Sequence, residues 1–134
     1  MTIENIFNLQ PGMGGLHNLL DLHTVFIDEQ GRFALKLNAT EQLLNPNGIV
    51  HGGTLFALCD IAVGTYIAFQ EKWAVTLDST IHFYHSALPG DILTATVNER
   101  KNGRTVSTLL VEVYNDKAQH IVDAIFTMYY TKGT

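Results

Sequence analysis

The chain has 134 residues, of which 46% are hydrophobic and 16% are charged, and a formal net charge of −5. This length suits a single domain over residues 1–134 with a sizeable core. The negative charge excludes the broad basic field that attracts nucleic acid or an anionic membrane. The single cysteine, Cys59, excludes an internal disulfide, and the N-terminus lacks the pattern of a signal peptide. We therefore predict a cytoplasmic protein.

The first third of the chain contains short elements separated by turns. We expect a short helix over residues 2–10, ended by Pro11. Two strand-like runs between Leu19 and Leu37 flank the sequence Asp28-Glu29-Gln30-Gly31, which is typical of a hairpin. The cluster Asn45-Pro46-Asn47-Gly48 predicts a turn before the next element.

Residues Gly52–Phe69 form the most regular segment of the sequence. Their apolar side chains recur at helical spacing all the way round, which predicts a helix buried on every side. The run is nearly long enough to cross a membrane, but Asp60 at its centre and the lack of flanking basic clusters argue against that. A buried carboxylate is costly unless it is compensated. Asp60 therefore has either a structural partner or a chemical role.

Four β-rich runs follow the helix, at about residues 73–86, 91–100, 104–115 and 119–131, with turn sequences between them. Together with the helix they predict an α+β fold, in which a curled antiparallel sheet of five to six strands wraps one long central helix. A single sheet of this size keeps open edges and an outer face. We therefore expect an oligomer.

The start of the helix carries a second candidate feature. Gly52 and Gly53 allow a backbone N–H at a helix N-terminus to approach a ligand closely, and the dipole there suits a developing oxyanion. Asp60 lies eight residues further on, about 12 Å along the helix axis. Both groups must be about 3 Å from the reacting atoms if they serve one carbonyl group. If both are catalytic, the site should combine Asp60 of one protomer with Gly52 of another.

The segment Asn45-Pro46-Asn47-Gly48-Ile49-Val50-His51-Gly52-Gly53, followed by Phe56-Ala57-Leu58 and Asp60, resembles the signature of hotdog-fold acyl-CoA thioesterases of the phenylacetate-degradation (PaaI-like) group. The similarity extends over about residues 40–131. It includes the runs Ala74–Asp78, Pro89–Asp91 and Asn102–Arg104.

The resemblance implies a hydrolase for the thioester of an aryl- or acyl-CoA and a role for each matching residue. Asp60 would attack the thioester or activate water, and the Gly52 N–H would polarise the thioester oxygen. Asn45 would position the thioester or the water, Thr76 would hold the water, and His51 would orient the loop or contact the substrate. The family forms two-fold dimers, often paired into tetramers, with sites shared between protomers. Coenzyme A enters as part of the substrate, and no separate cofactor is implied.

Each of these residues also has a structural explanation. Without the surrounding motif, a buried acid with a structural hydrogen-bond partner would explain Asp60 at least as well as a catalytic role would. Asn45 before Pro46 would serve to start the turn, and His51 to cap the helix. Thr76 is ordinary in a strand. The sequence leaves these alternatives open.

Outside this segment, Arg104 is the candidate for contacting the phosphates of coenzyme A, although it would equally solvate a hairpin tip. The scattered histidines, including His82 and His85, predict no metal site. Two alternatives to the thioesterase remain. One is a hotdog hydratase or dehydratase acting on acyl thioesters, and the other is a non-catalytic acyl-CoA-binding protein.

Overall fold

The computed structural model describes residues 14–22 and 24–132. The helix expected over residues 2–10 lies outside the described residues. Two helices, α1 and α2, and six strands, β1 to β6, follow in the order α1 (Gly15–Leu19), β1 (Thr24–Ile27), β2 (Phe33–Asn38), α2 (Gly52–Phe69), β3 (Trp73–Phe83), β4 (Ile92–Asn102), β5 (Val106–Asn115) and β6 (His120–Thr131). One turn of 3-10 helix, Glu41–Leu43, precedes α2.

The six strands form one antiparallel sheet in the order β1-β2-β4-β5-β6-β3. The predicted α+β class and the strand number are confirmed. The first strand begins at Thr24 rather than near Leu19, because Gly15–Leu19 is helical. The predicted hairpin follows, and the Asp28 carboxylate accepts hydrogen bonds from the backbone N–H groups of Gln30 and Arg32 there. Aspartate favours turns because its carboxylate can accept such hydrogen bonds from nearby backbone N–H groups.

Helix α2 lies against one face of the sheet, and the core fills the space between them. On β5 the alternate residues Ser107, Leu109, Val111 and Val113 are all buried, as the alternation in the sequence predicts. The Phe56 ring of the helix stacks on Phe126 of β6, with 5.7 Å between the ring centroids. Although α2 is long and apolar enough to cross a membrane by length and composition alone, here it is the core helix of a sheet.

The prediction that the helix is buried on every side is wrong for the single chain. Gly53, Phe56, Asp60 and Gly64 are exposed, and they form one stripe along the helix. The physical reason is that a sheet of one layer covers only one side of a cylinder, and no second layer covers the other side among the described residues. Asp60 therefore lies on the uncovered side of α2 rather than inside the chain's own core.

Strand β3 is an edge of the sheet, and it pairs only with β6 among the described strands. Its large apolar side chains are exposed, including Val75 (52%) and Leu77 (57%). An exposed apolar edge strand is a template for pairing with another chain. Within residues 14–22 and 24–132, one side of α2 and the edge strand β3 are therefore left open.

Candidate active site

The structure brings Asp60 and Thr76 together, from helix α2 and edge strand β3. The Thr76 hydroxyl donates a hydrogen bond to Asp60 Oδ1 at 3.4 Å, and it also lies 3.4 Å from the sulfur of Met128. A β-bulge at Leu77 interrupts the pairing of β3 with β6 directly after Thr76. Bulges beside active sites commonly re-aim a neighbouring side chain.

The environment of Asp60 makes its carboxylate more basic. Burial by the surrounding apolar groups raises its pKa, and the hydrogen bond from Thr76 lowers it in part. Asp60 nevertheless keeps a large exposed surface in the single chain. A carboxylate with this combination is accessible to a substrate and is a stronger base than an ordinary aspartate.

The neighbouring thiol, Cys59, does not take part in this site. It is completely buried, and burial together with the charges of Asp123 and Asp60 raises its pKa to about 12. A thiol with such a pKa is not a nucleophile near neutral pH. Cys59 therefore belongs to the core.

The N-terminus of α2 is capped by the side chain of His51, whose Nδ1 accepts the backbone N–H of Gly53 at 2.8 Å. Because Nδ1 is an acceptor here, the ring of a neutral His51 carries its proton on Nε2. A Cβ at Gly53 would lie 3.1 Å from this Nδ1, which explains the small residue. Among the described residues, none accepts a hydrogen bond from the Gly52 N–H. That N–H is left for a ligand.

Gly52 and Asn45 share a cavity of about 290 Å³, whose wall includes Phe83, Tyr84 and His85. A Cβ at Gly52 would lie 3.6 Å from the ring of Phe83, so the glycine leaves the space in front of its N–H open. Asn45 Oδ1 accepts the backbone N–H groups of Asn47 and Ile49. Asn45 thus closes the predicted turn, and it also lines the cavity.

The candidate site residues therefore fall into two groups, which we call half-sites, and a single chain does not bring the two groups together. Asn45, His51 and Gly52 lie around the N-terminus of α2, whereas Asp60 and Thr76 lie near its middle, and neither of the latter lines the Gly52 cavity. The separation of Gly52 from Asp60 along the helix is about 12 Å. The shared site stays a prediction.

Arg104 lies apart from both half-sites, at the wall of a larger cavity of about 550 Å³ between the end of α2 and the β4–β5 turn. Its side chain is exposed. The sequence pattern singled out Arg104 but not its neighbours in the cavity, Lys72 and Tyr130. Their proximity depends on strand order, which local sequence signals do not reveal.

In the part of the chain that the structure describes, no group of three His, Cys, Asp or Glu side chains has metal-binding geometry. Asp123 lies 3.8 Å from His82 and 4.0 Å from His120, and it accepts a hydrogen bond from Tyr84. This cluster was not predicted, because it depends on the register between β3 and β6.

Comparison with known proteins identifies the family. Residues 47–121 match the model of the thioesterase superfamily. The chain is 31% identical over 102 residues to the acyl-coenzyme A thioesterase PaaI of Escherichia coli K12, which covers 76% of this chain and 72% of that protein. The solved structure of the E. coli PaaI protein superimposes with a TM-score of 0.84 over 99% of both chains, at 23% identity.

Two streptococcal structures are also similar. A Streptococcus mutans UA159 protein bound to acetyl-CoA is 33% identical, with a TM-score of 0.74 over 80% of this chain and 86% of that chain. The aspartate-to-alanine variant of a hypothetical thioesterase of Streptococcus pneumoniae TIGR4 is 27% identical to this chain. Its structure superimposes with a TM-score of 0.76 over 82% of this chain and 91% of that chain. The same protein was also solved as a threonine-to-alanine variant. Its two substituted positions are 16 residues apart, which is also the separation between Asp60 and Thr76. The chain belongs to the thioesterase superfamily, and it is a thioester hydrolase with the hotdog fold.

Proposed function

We propose that the protein hydrolyses acyl-CoA thioesters and that Asp60 is the catalytic carboxylate. The observation that carries this proposal is the Asp60–Thr76 hydrogen bond on the open side of α2, with the raised pKa of Asp60. Support comes from the acyl-CoA thioesterase relative in E. coli and from similar structures that contain acetyl-CoA or coenzyme A. The 16-residue separation of the substituted aspartate and threonine in the pneumococcal protein also supports it.

The proposed chemistry needs few groups. The Asp60 carboxylate attacks the thioester carbonyl carbon or takes a proton from the attacking water, while the hydroxyl of Thr76 holds the reacting group in place. The Gly52 N–H donates to the oxyanion, and a donor of this kind contributes about 3–4 kcal/mol to transition-state stabilisation. A thiol has a pKa near 8.5, so it leaves as a thiolate with little help from an acid. Asn45 and His51 position the loop that presents Gly52.

We further propose that the active site forms between two protomers. If β3 pairs with β3 of a second copy in antiparallel orientation, the Trp73 end of one strand meets the Phe83 end of the other. Gly52 lies next to Phe83 in its own chain, and Thr76 lies three residues from Trp73. The pairing therefore brings Asp60 and Thr76 of one protomer towards Gly52 of its partner. Two further expectations stay predictions. One is that two such dimers form a homotetramer, and the other is that the protein is cytoplasmic.

Thiol release from aryl-CoA and from short, medium and long acyl-CoAs tests the function directly. We expect hydrolysis of at least one class, and a loss of about 10²–10⁴-fold in kcat for Asp60→Asn, as for the removal of a general base. The matched control is Asp78→Asn, which removes an exposed carboxylate from β3 two residues after Thr76. A folded Asp60→Asn variant with the full rate would overturn the mechanism. Binding without hydrolysis by the wild type would favour the acyl-CoA-binding alternative, and water addition to an enoyl-CoA would favour a hydratase.

A mixing experiment tests the shared site. Asp60→Ala and Gly52→Val variants are each expected to be inactive. Mixed dimers of the two should recover activity, because one of their two sites combines an intact Asp60 with an intact Gly52. Persistent inactivity in isolated mixed dimers would show that each site belongs to one chain.

A further inference from the structure

His85 lies in the wall of the Gly52 cavity, and it has no part in the proposed thioester chemistry. Asn45 and Tyr84 line the same wall. Of the described residues there, Tyr84 and His85 are the ones with ionisable side chains. The Tyr84 hydroxyl is engaged, because it donates to Asp123 at 3.2 Å. His85 is therefore the wall residue whose side chain is available to exchange a proton with a ligand.

The backbone of the segment that carries His85 is held against strand β6. A β-bulge at Ile121 interrupts the pairing of β6 with β5. The Ile121 carbonyl accepts the backbone N–H groups of Tyr84 at 2.8 Å and of His85 at 3.3 Å. Bulges occur often beside active sites, where they aim a side chain. The bulge at Ile121 thus fixes the position of His85 at the end of β3.

The imidazole ring of His85 is held in one tautomer. Its Nδ1 lies 2.8 Å from the carbonyl oxygen of His120. A carbonyl oxygen only accepts hydrogen bonds, so Nδ1 carries the donated proton, and Nε2 of the neutral ring has a free lone pair. Within residues 14–22 and 24–132, Nε2 has no hydrogen-bond partner, and the residue is exposed. A histidine oriented in this way presents Nε2 for proton transfer.

Hydrolysis of a thioester does not require such a group. A thiol has a pKa near 8.5, so it leaves as a thiolate with little protonation. The alcohol of an oxygen ester is a far weaker acid, and its C–O bond breaks readily only when a proton donor assists. A protonated imidazole beside the oxyanion donor Gly52 supplies that proton. What His85 adds to the cavity is therefore the group that oxygen-ester hydrolysis needs and thioester hydrolysis does not.

We propose that His85 is a second catalytic residue, a general acid, and that the same site hydrolyses oxygen esters. Asp60 of one protomer takes a proton from water, whose oxygen bonds to the ester carbonyl carbon, and the oxyanion accepts the Gly52 N–H of the partner. The C–O bond to the alcohol then breaks, and Nε2 of His85 gives its proton to the leaving oxygen. Asp60 releases its proton to solvent, and solvent reprotonates His85. Ester and water are thus converted to acid and alcohol. This inference rests on the proposed roles of Asp60 and Gly52.

The test compares an acyl-CoA with its oxygen analogue, in which oxygen replaces the thioester sulfur. We expect the wild type to hydrolyse both. His85→Asn retains a side-chain N–H for the His120 carbonyl but has no group that titrates. It should lower kcat for the oxygen ester about 10²–10⁴-fold, the usual contribution of a general acid. The loss for the thioester should be at least about tenfold smaller, because a thiolate needs little protonation.

His82→Asn is the matched control, because His82 is an exposed histidine three residues earlier that does not line the cavity. Both of its rates should equal those of the wild type. Thermal denaturation checks that each variant is folded, and His85→Gln, which also lacks a titrating group, is the second variant. Equal losses for the oxygen ester and the thioester in the folded His85 variants would overturn the proposal, because that pattern is expected when His85 only supports the cavity wall.

A series of aryl esters of one acid separates proton donation from wall support. The logarithm of kcat should fall more steeply with the basicity of the leaving group in His85→Asn than in the wild type or His82→Asn, because an acid catalyst offsets that basicity. Equal slopes in the three proteins would rule out proton donation by His85.

The two substrates also separate this proposal from the proposed function. If the oxygen analogue is hydrolysed with this dependence on His85 but the acyl-CoA is not hydrolysed, the thioester function fails and the role of His85 stands. If the acyl-CoA is hydrolysed and the oxygen analogue is not, the proposal for His85 fails alone.

Discussion

At the scale of single residues, the central observation is the exposed but basic carboxylate of Asp60. Desolvation raises its pKa, and the Thr76 hydroxyl opposes that shift through a hydrogen bond at 3.4 Å. The folded state therefore holds its proton more tightly than the unfolded state does. Such a group lowers stability at neutral pH and is retained when it serves a chemical purpose.

Asp60→Asn should be at least as stable as the wild type at pH 7, because it removes a charge that folding partly desolvates. The direction of this effect follows from the linkage between proton binding and folding. Between the unfolded pKa and the raised folded pKa, the native state binds more protons, so the unfolding free energy of the wild type falls as pH rises through that window. Thermal denaturation of both proteins from pH 3 to pH 7 measures this. A variant that is less stable at every pH would contradict it.

Thr76→Val should raise the pKa of Asp60 further, because it removes the hydrogen bond that stabilises the ionised form. If ionised Asp60 is the active form, activity rises with pH through its pKa. The acidic limb of the kcat/KM profile should then move to higher pH in Thr76→Val and stay in place in Thr76→Ser, which keeps the hydroxyl. Coincident limbs in all three proteins would rule out this role for the Thr76 hydroxyl.

At the scale of elements, the N-terminus of α2 contributes both to the stability of the fold, through its cap, and to the candidate oxyanion site. His51 caps the helix through Nδ1. Its neighbour Gly52 lies in the cavity that Asn45 and Phe83 line, and no described residue accepts its N–H. The cap orients the first turn, so loss of the cap affects both folding and the position of that N–H.

His51→Ala should lower the unfolding free energy by about 1 kcal/mol, the usual effect of losing an N-cap acceptor. His51→Asn supplies another side-chain acceptor and should recover most of that loss. Urea denaturation at constant m-value measures the difference. Should His51→Asn be as unstable as His51→Ala, the contribution of His51 would come from packing rather than from the cap.

At the scale of the whole molecule, the described part of the chain leaves one side of α2 and the β3 edge of the sheet open. Apolar surface on the edge strand β3 and along the stripe of α2 is not covered by any other described residue of the same copy; the stripe consists of Gly53, Phe56, Asp60 and Gly64. The half-sites are attached to these same elements. Assembly and activity should therefore depend on the same surface.

Leu77→Lys should dissociate the proposed dimer and abolish activity together, because it places a charge on the free edge of β3, where Leu77 is 57% exposed. Ile27→Lys, on the opposite edge strand β1, where Ile27 is 50% exposed, is the matched control. Light scattering after size exclusion gives the mass of each variant, and thiol release gives its activity. An active monomer of Leu77→Lys would contradict the shared site.

The sequence alone predicted the parts of this protein that depend on local signals. Helical periodicity predicted α2 over Gly52–Phe69, and the four β-rich runs with turn residues between them located β3 to β6 within a few residues. The first two strands were predicted only as two runs between Leu19 and Leu37, whose start proved to be helical. The segment from Asn45 to Asp60 identified the family because its spacing is contained within one turn and one helix.

Only the tertiary structure decided which surfaces meet. Periodicity shows that α2 is apolar all round, but not that a single-layer sheet leaves the Asp60 side uncovered. Strand order and register bring together Asp60 with Thr76, the cluster at Asp123, and the cavity wall that contains Lys72 and Arg104. These non-local pairings depend on the packing of the whole chain, and nearest neighbours in sequence carry no signal for them.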